Sequence, residues 1–126
     1  MDIKEAQYIM ESEEFLDFAP IKFVGIEDKE EQNRIIDTLM SVVDPEIGID
    51  IINLGLVYEI HKEVNKLYII MTVTALGCPL ADVLSNEVKN EVLSIGDYSE
   101  VEVKIVYSPP WDRDRLSSFA RMELGL

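Results

Sequence analysis

One cysteine stands among 126 residues, in the stretch Thr74-Ala75-Leu76-Gly77-Cys78-Pro79-Leu80. A β-rich run gives way there to an amphipathic one, which places Cys78 at a helix N-cap and Pro79 at the first helical position, where proline is welcome. Peptide N–H groups and the helix dipole at such a site favour a thiolate, which is both a nucleophile and a soft metal ligand. An unpaired cysteine is equally a small buried hydrophobe, and periodicity alone leaves both readings open. Asp44-Pro45-Glu46 opens a turn-rich run punctuated by Gly48 and Gly55, and Ser108-Pro109-Pro110-Trp111 stops a β-rich run near the C-terminus. Carboxylates with a thiolate suit iron or a mixed metal site better than a lone nucleophile. One thiolate and two carboxylates are too few for a stable centre of the tetrathiolate kind, so iron or a cluster on Cys78 needs ligands from a second subunit or a partner. Each segment also has a plainer use: Asp44-Pro45-Glu46 as a helix-to-loop turn, Thr72 and Thr74 as a cross-strand pair, Trp111 as a loop anchor.

The elements that must position these residues follow from periodicity. Ile35, Ile36, Leu39, Met40 and Val43 recur on one helical face, with acids at its start, and Asp44-Pro45 predicts its end. The runs from Leu56 to Glu63 and from Lys66 to Thr74 read as a hairpin around Val64-Asn65. Leu80, Val83, Leu84, Val88, Val92 and Ile95 mark a second helix, stopped by Gly96. Residues 100–107 alternate as a strand, and a last helix places Leu116, Phe119 and Ala120 inward. This is an α+β fold with the order α-β-β-α-β-α over residues 30–126, a small three-stranded mixed sheet packed by helices in two layers. Residues 1–29 form an acidic N-terminal arm, loosely held or a short helix, broken at Pro20.

A helical crossover makes the third strand parallel to the second. The turns carrying Asp44 and Glu46, Thr74 and Cys78, and Trp111 should therefore meet at one edge of the sheet, the usual address of a site. His61, near the hairpin tip opposite Leu67, lies about 20 Å or more from Cys78 at ~3.3 Å per strand residue. A Cys–His nucleophilic pair is thereby left without its base.

With 25 acidic and 11 basic residues the formal net charge is −14, a field that repels nucleic acid and anionic membranes and suits a protein or a cation. A single thiol, no signal peptide and no apolar run near the ~18 residues of a membrane span place the chain in a reducing cytoplasm.

The segments DPEIGIDIINLGLVYEI, MTVTALGCPLADVL and VEVKIVYSPPWDRDRLSSFARMELGL resemble, in order and spacing, the SufT/PaaD-like family of iron–sulfur assembly factors. The resemblance runs from Glu30 to Leu126 and leaves residues 1–29 outside. It implies an iron–sulfur-assembly-like domain that serves as an accessory factor in cluster assembly or delivery rather than as an enzyme. The family's acidic pair falls on Asp44 and Glu46, its threonine on Thr74 and its reactive cysteine on Cys78, as ligands for transient iron or a transient cluster. A second threonine found in some members is replaced by Ala75, and the absence of further C-terminal cysteines points to the general SufT-like branch. The implied partners are scaffold or carrier proteins and apoprotein targets, with a homodimer as one way to double the thiolates and no stably bound cofactor. Two other readings stand beside this one: a thiol-dependent enzyme or redox protein with Cys78 as nucleophile, and an adaptor in which Cys78 is structural.

Overall fold

The computed structural model of the chain describes residues 17–74 and 81–126. Its elements run β1 (Lys22–Val24), α1 (Lys29–Leu39), β2 (Val57–Glu63), β3 (Lys66–Met71), α2 (Ala81–Leu93), β4 (Glu100–Ile105), a 3₁₀ turn (Arg113–Arg115) and α3 (Ser118–Leu124). From α1 onward this is the expected α+β order. The sheet has four strands, in the order β1-β2-β3-β4, where three were expected. The added strand comes from the N-terminal segment: Lys22, Phe23 and Val24 pair in parallel with Glu59, Ile60 and His61. A strand of three residues shows too little alternation to be read, and its ladder depends on a partner far along the chain. Expectations for residues 1–16 lie outside the described residues.

β2 and β3 form the hairpin, antiparallel with Glu63 opposite Lys66. β4 returns parallel to β3, from Lys66 opposite Glu100 to Met71 opposite Ile105. Leu67, Ile69 and Met71 alternate onto the core face and are fully buried, whereas Tyr68 and Ile70 between them are half-buried. The two-residue turn at Val64-Asn65 sets Glu63 opposite Lys66, so His61 faces Tyr68 rather than Leu67, and a one-residue irregularity between Val57 and Glu59 shifts the register only beyond that point.

α1 is capped by Asp28, whose side chain accepts from the Glu30 N–H at 3.1 Å, and Glu30 and Glu31 sit in its first turn. The helix ends at Leu39, well before Pro45. Thr38 and Ser41 give their hydroxyls to the Arg34 and Thr38 carbonyls, a local competition that weakens helix continuation. The chain beyond it is extended, with Val43 bridged to Asp50. Burial therefore falls on Val42, and Val43 is 40% exposed. In α2 the inward positions are Ala81, Leu84, Val88 and Val92; Val83, expected among them, is 53% exposed. In the C-terminal region Leu116 and Ala120 are buried as expected while Phe119 is exposed, because Ser117 caps a separate helix after the 3₁₀ turn.

An ion pair joins α1 to β2. Lys62 Nζ lies 2.8 Å from Glu31 Oε2, and the Tyr98 hydroxyl donates to the same oxygen at 2.8 Å. The Lys62 hydrogen bond holds the Glu31 carboxyl below its ordinary pKa against the opposing effect of burial, while burial and the bond to Glu31 push Tyr98 up. A lowered folded pKa means the stabilisation is present above the unfolded-state value and is lost as pH falls through the folded one. Glu31→Gln should cost roughly 1 kcal/mol at neutral pH. In urea titrations that difference should shrink as pH drops below about 4, where wild type is itself protonated; a constant difference would mean that shape, not charge, matters at this position.

Candidate functional site

The run from Asp44 to Leu56 folds back on itself and is apolar inside. Asp44, 3% exposed, accepts on one carboxylate oxygen from the N–H groups of Glu46 (2.9 Å) and Ile47 (3.3 Å). Its own N–H donates to the Ile49 carbonyl, and the Gly48 N–H donates to its carbonyl at 2.7 Å. The carboxylate thus closes a tight turn and holds Glu46 on an exposed tip. Ile49, Ile51, Ile52, Leu54 and Leu56 turn inward and join the core, which explains how so long a connection stays ordered. Asp50 then starts a helical turn, accepting from the Asn53 N–H at 3.0 Å and from Asn53 Nδ2 at 2.8 Å.

This loop is clamped by the C-terminal segment. Trp111 Nε1 donates to the Leu54 carbonyl at 2.6 Å, so the tryptophan is a loop anchor. Arg115 Nε donates to the Gly55 carbonyl at 2.6 Å and Nη2 to the Val57 carbonyl at 3.3 Å. Its guanidinium stacks 4.4 Å from the centre of the Tyr58 ring, whose hydroxyl donates to the Pro109 carbonyl at 2.8 Å. Burial lowers the Arg115 pKa and raises that of Tyr58, with Arg115 partly offsetting the latter. Beneath them Ser117, fully buried, donates its hydroxyl to Asn53 Oδ1 at 2.6 Å and its N–H to the Asn53 carbonyl at 3.0 Å. The same hydroxyl accepts from the Ala120 N–H at 3.1 Å, capping α3.

The end of β3 is the meeting point. The Thr72 N–H donates to the Leu56 carbonyl on one side, and the Val106 N–H donates to the Met71 carbonyl on the other, both at 2.8 Å. These bonds bring the end of the loop at Leu56, the strand end that runs on to Thr74 and the chain after β4 at Val106 together at one end of the sheet, and Trp111 is tied to the same loop through Leu54. Thr72 is buried, Thr74 half-buried. Cys78 lies outside the described residues. His61 sits toward the hairpin tip, its Nε2 2.8 Å from Glu59 Oε1. Among the described residues no group of three or more His, Cys, Asp or Glu side chains is placed to hold a metal ion, and no helix is long and apolar enough to cross a membrane.

The sequence reading missed Asn53, Tyr58, Arg115 and Ser117. Only Ser117 left a local signal, a serine directly before an amphipathic run, the common N-cap pattern.

Comparison with known proteins adds a family to this geometry. A family model described as iron–sulfur cluster assembly protein matches residues 32–105. The chain is 44% identical over 96 residues to the Fe-S protein maturation auxiliary factor YitW of Bacillus subtilis, covering 75% of this chain and 94% of that one. It is 42% identical over 86 residues to the Fe-S protein maturation auxiliary factor SufT of Staphylococcus aureus, covering 68% and 98%. Among solved structures it is similar to a domain of unknown function from Bacillus anthracis, with TM-score 0.71 at 39% identity, covering 78% of this chain and 94% of that one.

Proposed function

The chain belongs to the family of iron–sulfur cluster assembly proteins, and from that premise we propose how it serves as an accessory factor in cluster maturation. Cys78 is a transient ligand for iron or a cluster in transit, a cargo and not a resident cofactor. Glu46, on its exposed tip, offers a carboxylate to the same cargo. Asp44 chiefly holds the turn that presents Glu46, and Thr74 contributes a hydroxyl at the strand end. The protein works with scaffold or carrier proteins and apoprotein targets, without catalysing a reaction of its own.

The observation that supports this reading is the junction at the end of β3, where backbone bonds at Thr72 and Met71 join Leu56, the end of the loop that Asp44 and Glu46 open, and Val106 after β4 to the strand that leads toward Cys78. Three residues lie between Thr74 and Cys78 in the sequence, so the four Cα steps can set the two Cα atoms no more than about 14 Å apart. A tightly held cluster would obstruct delivery, and one thiolate per chain supports the labile alternative. The thiol-enzyme reading has no comparable support. The sole histidine lies toward the opposite end of the hairpin and is engaged with Glu59.

Anaerobic incubation with ferrous iron and sulfide, followed by gel filtration with visible absorbance and iron counting, tests it. Wild type should show binding that is lost from the monomer on the column, while passing cluster to an apo-ferredoxin. Cys78→Ser should abolish both. Asp44→Asn, which keeps the oxygen that closes the turn, should bind roughly as wild type does, whereas Glu46→Gln should weaken binding by about tenfold. A stable cluster on strictly monomeric protein, or full transfer by Cys78→Ser, would overturn the proposal.

A further inference from the structure

Beside the clamp lies a groove of about 410 Å³, walled by Asp17, Phe18, Ala19 and Pro20 on one side and by Tyr58, Pro109, Pro110, Asp112, Asp114 and Arg115 on the other. The N-terminal wall is fixed in place: the Asp17 carboxylate accepts from the Ser118 N–H at 3.0 Å and from its hydroxyl. Phe18 packs against the core. The opposite wall is fixed by the Tyr58–Pro109 bond and by Arg115. The groove is thus preformed.

Its chemistry selects an occupant. Pro20, Pro109 and Pro110 carry no N–H, so the walls are poor templates for adding a strand, and recognition falls to side chains. Phe18, the Tyr58 ring and the prolines provide an apolar floor. Asp112 and Asp114 stand exposed on the rim, and the Asp112 carboxylate accepts from the Asp114 N–H at 2.8 Å. Among the described lining residues the one cation is Arg115, whose Nε and Nη2 donate to the Gly55 and Val57 carbonyls. The rim is therefore acidic, in a chain whose net charge is −14. We propose that this groove docks an extended segment of a partner protein in which lysine or arginine flanks an apolar side chain, the cations meeting Asp112 and Asp114 and the apolar group resting on Tyr58 and the prolines. This goes beyond the cluster-handling role of Cys78 and does not depend on it.

The test is fluorescence anisotropy with the full chain and a labelled probe peptide of sequence Gly-Arg-Lys-Leu-Pro-Lys-Arg-Gly. Asp112→Asn with Asp114→Asn keeps the capping oxygen but removes both charges, and should weaken binding by about tenfold. A control pair on exposed helix positions, Asp37→Asn with Glu87→Gln, should leave it unchanged, as should Cys78→Ser. Backbone resonances of Tyr58 and Arg115 should shift on titration. Absence of binding, equal weakening by the control pair, equal binding of a peptide with glutamate in place of the basic residues, or unmoved Tyr58 and Arg115 resonances would each overturn the proposal. Loss of binding in Cys78→Ser would do so too, because it would fold the groove back into the cluster site.

Discussion

Gly55→Ala is expected to lose roughly 3 kcal/mol or more of unfolding free energy, one of the largest effects any single methyl group can have in this chain. Gly55 adopts φ +74°, in the left-handed region, where a side chain costs about 1–2 kcal/mol. The added carbon also lands on the carbonyl oxygen of Arg115 and 2.7 Å from its Cβ. Backbone cannot yield as a flexible side chain can, so the two segments must part. Parting them stretches the bond from Arg115 Nε to the Gly55 carbonyl and leaves buried polar groups poorly paired. Gly48 supplies the control. It has φ +80°, but nothing lies within 4 Å of a Cβ built there. Gly48→Ala should therefore cost only the strain, about 1 kcal/mol. Urea unfolding of the two variants separates close approach from conformation; equal losses would show that the clamp at Gly55 yields without cost.

Much of the fold was legible because its determinants are local. The alternation at Leu67, Ile69 and Met71 and the helical spacing of Leu84, Val88 and Val92 repeat within short windows, and the crossover rule then fixed β4 parallel to β3. β1 was not legible, since its three residues acquire meaning only from Glu59, Ile60 and His61. The end of α1 was misplaced because Pro45 is the strongest punctuation mark in that region, while the hydroxyls of Thr38 and Ser41 act earlier. At the candidate site the sequence disclosed the residue types, and Trp111 proved the anchor that was one of its two readings. It did not disclose what holds the loop. Asn53 and Ser117 are 64 residues apart and Arg115 reaches back 60 to Gly55, and no periodicity in one chain encodes polar contacts at that separation. The same distance accounts for the appearance of Tyr58 as an ordinary β-strand aromatic.

Because Asn53 supports the loop from within, its replacement by aspartate should make stability depend on pH in a direction opposite to that expected of Glu31. Asn53 is 8% exposed, its amide nitrogen donating to Asp50 Oδ1 and its amide oxygen accepting from the fully buried Ser117. An aspartate there exchanges the donor for an oxygen facing another carboxylate. Burial and the neighbouring Asp50 both disfavour its charged form, so its folded pKa is raised above the unfolded value near 3.9. Stability relative to wild type is then retained below the unfolded pKa, where the protonated acid can still donate to Asp50, and is lost as pH rises through the folded one. Asn53→Asp should unfold within about 1 kcal/mol of wild type near pH 4 and roughly 3 kcal/mol below it at pH 8. Asn53→Ala, which strands the Ser117 hydroxyl without adding charge, should lose about 2 kcal/mol at every pH. Urea titrations of wild type and both variants from pH 4 to pH 8 provide the comparison. A constant offset for Asn53→Asp would mean that water reaches this network in the folded protein, and that the clamp between the acidic loop and α3 is held by Trp111 and Arg115 alone.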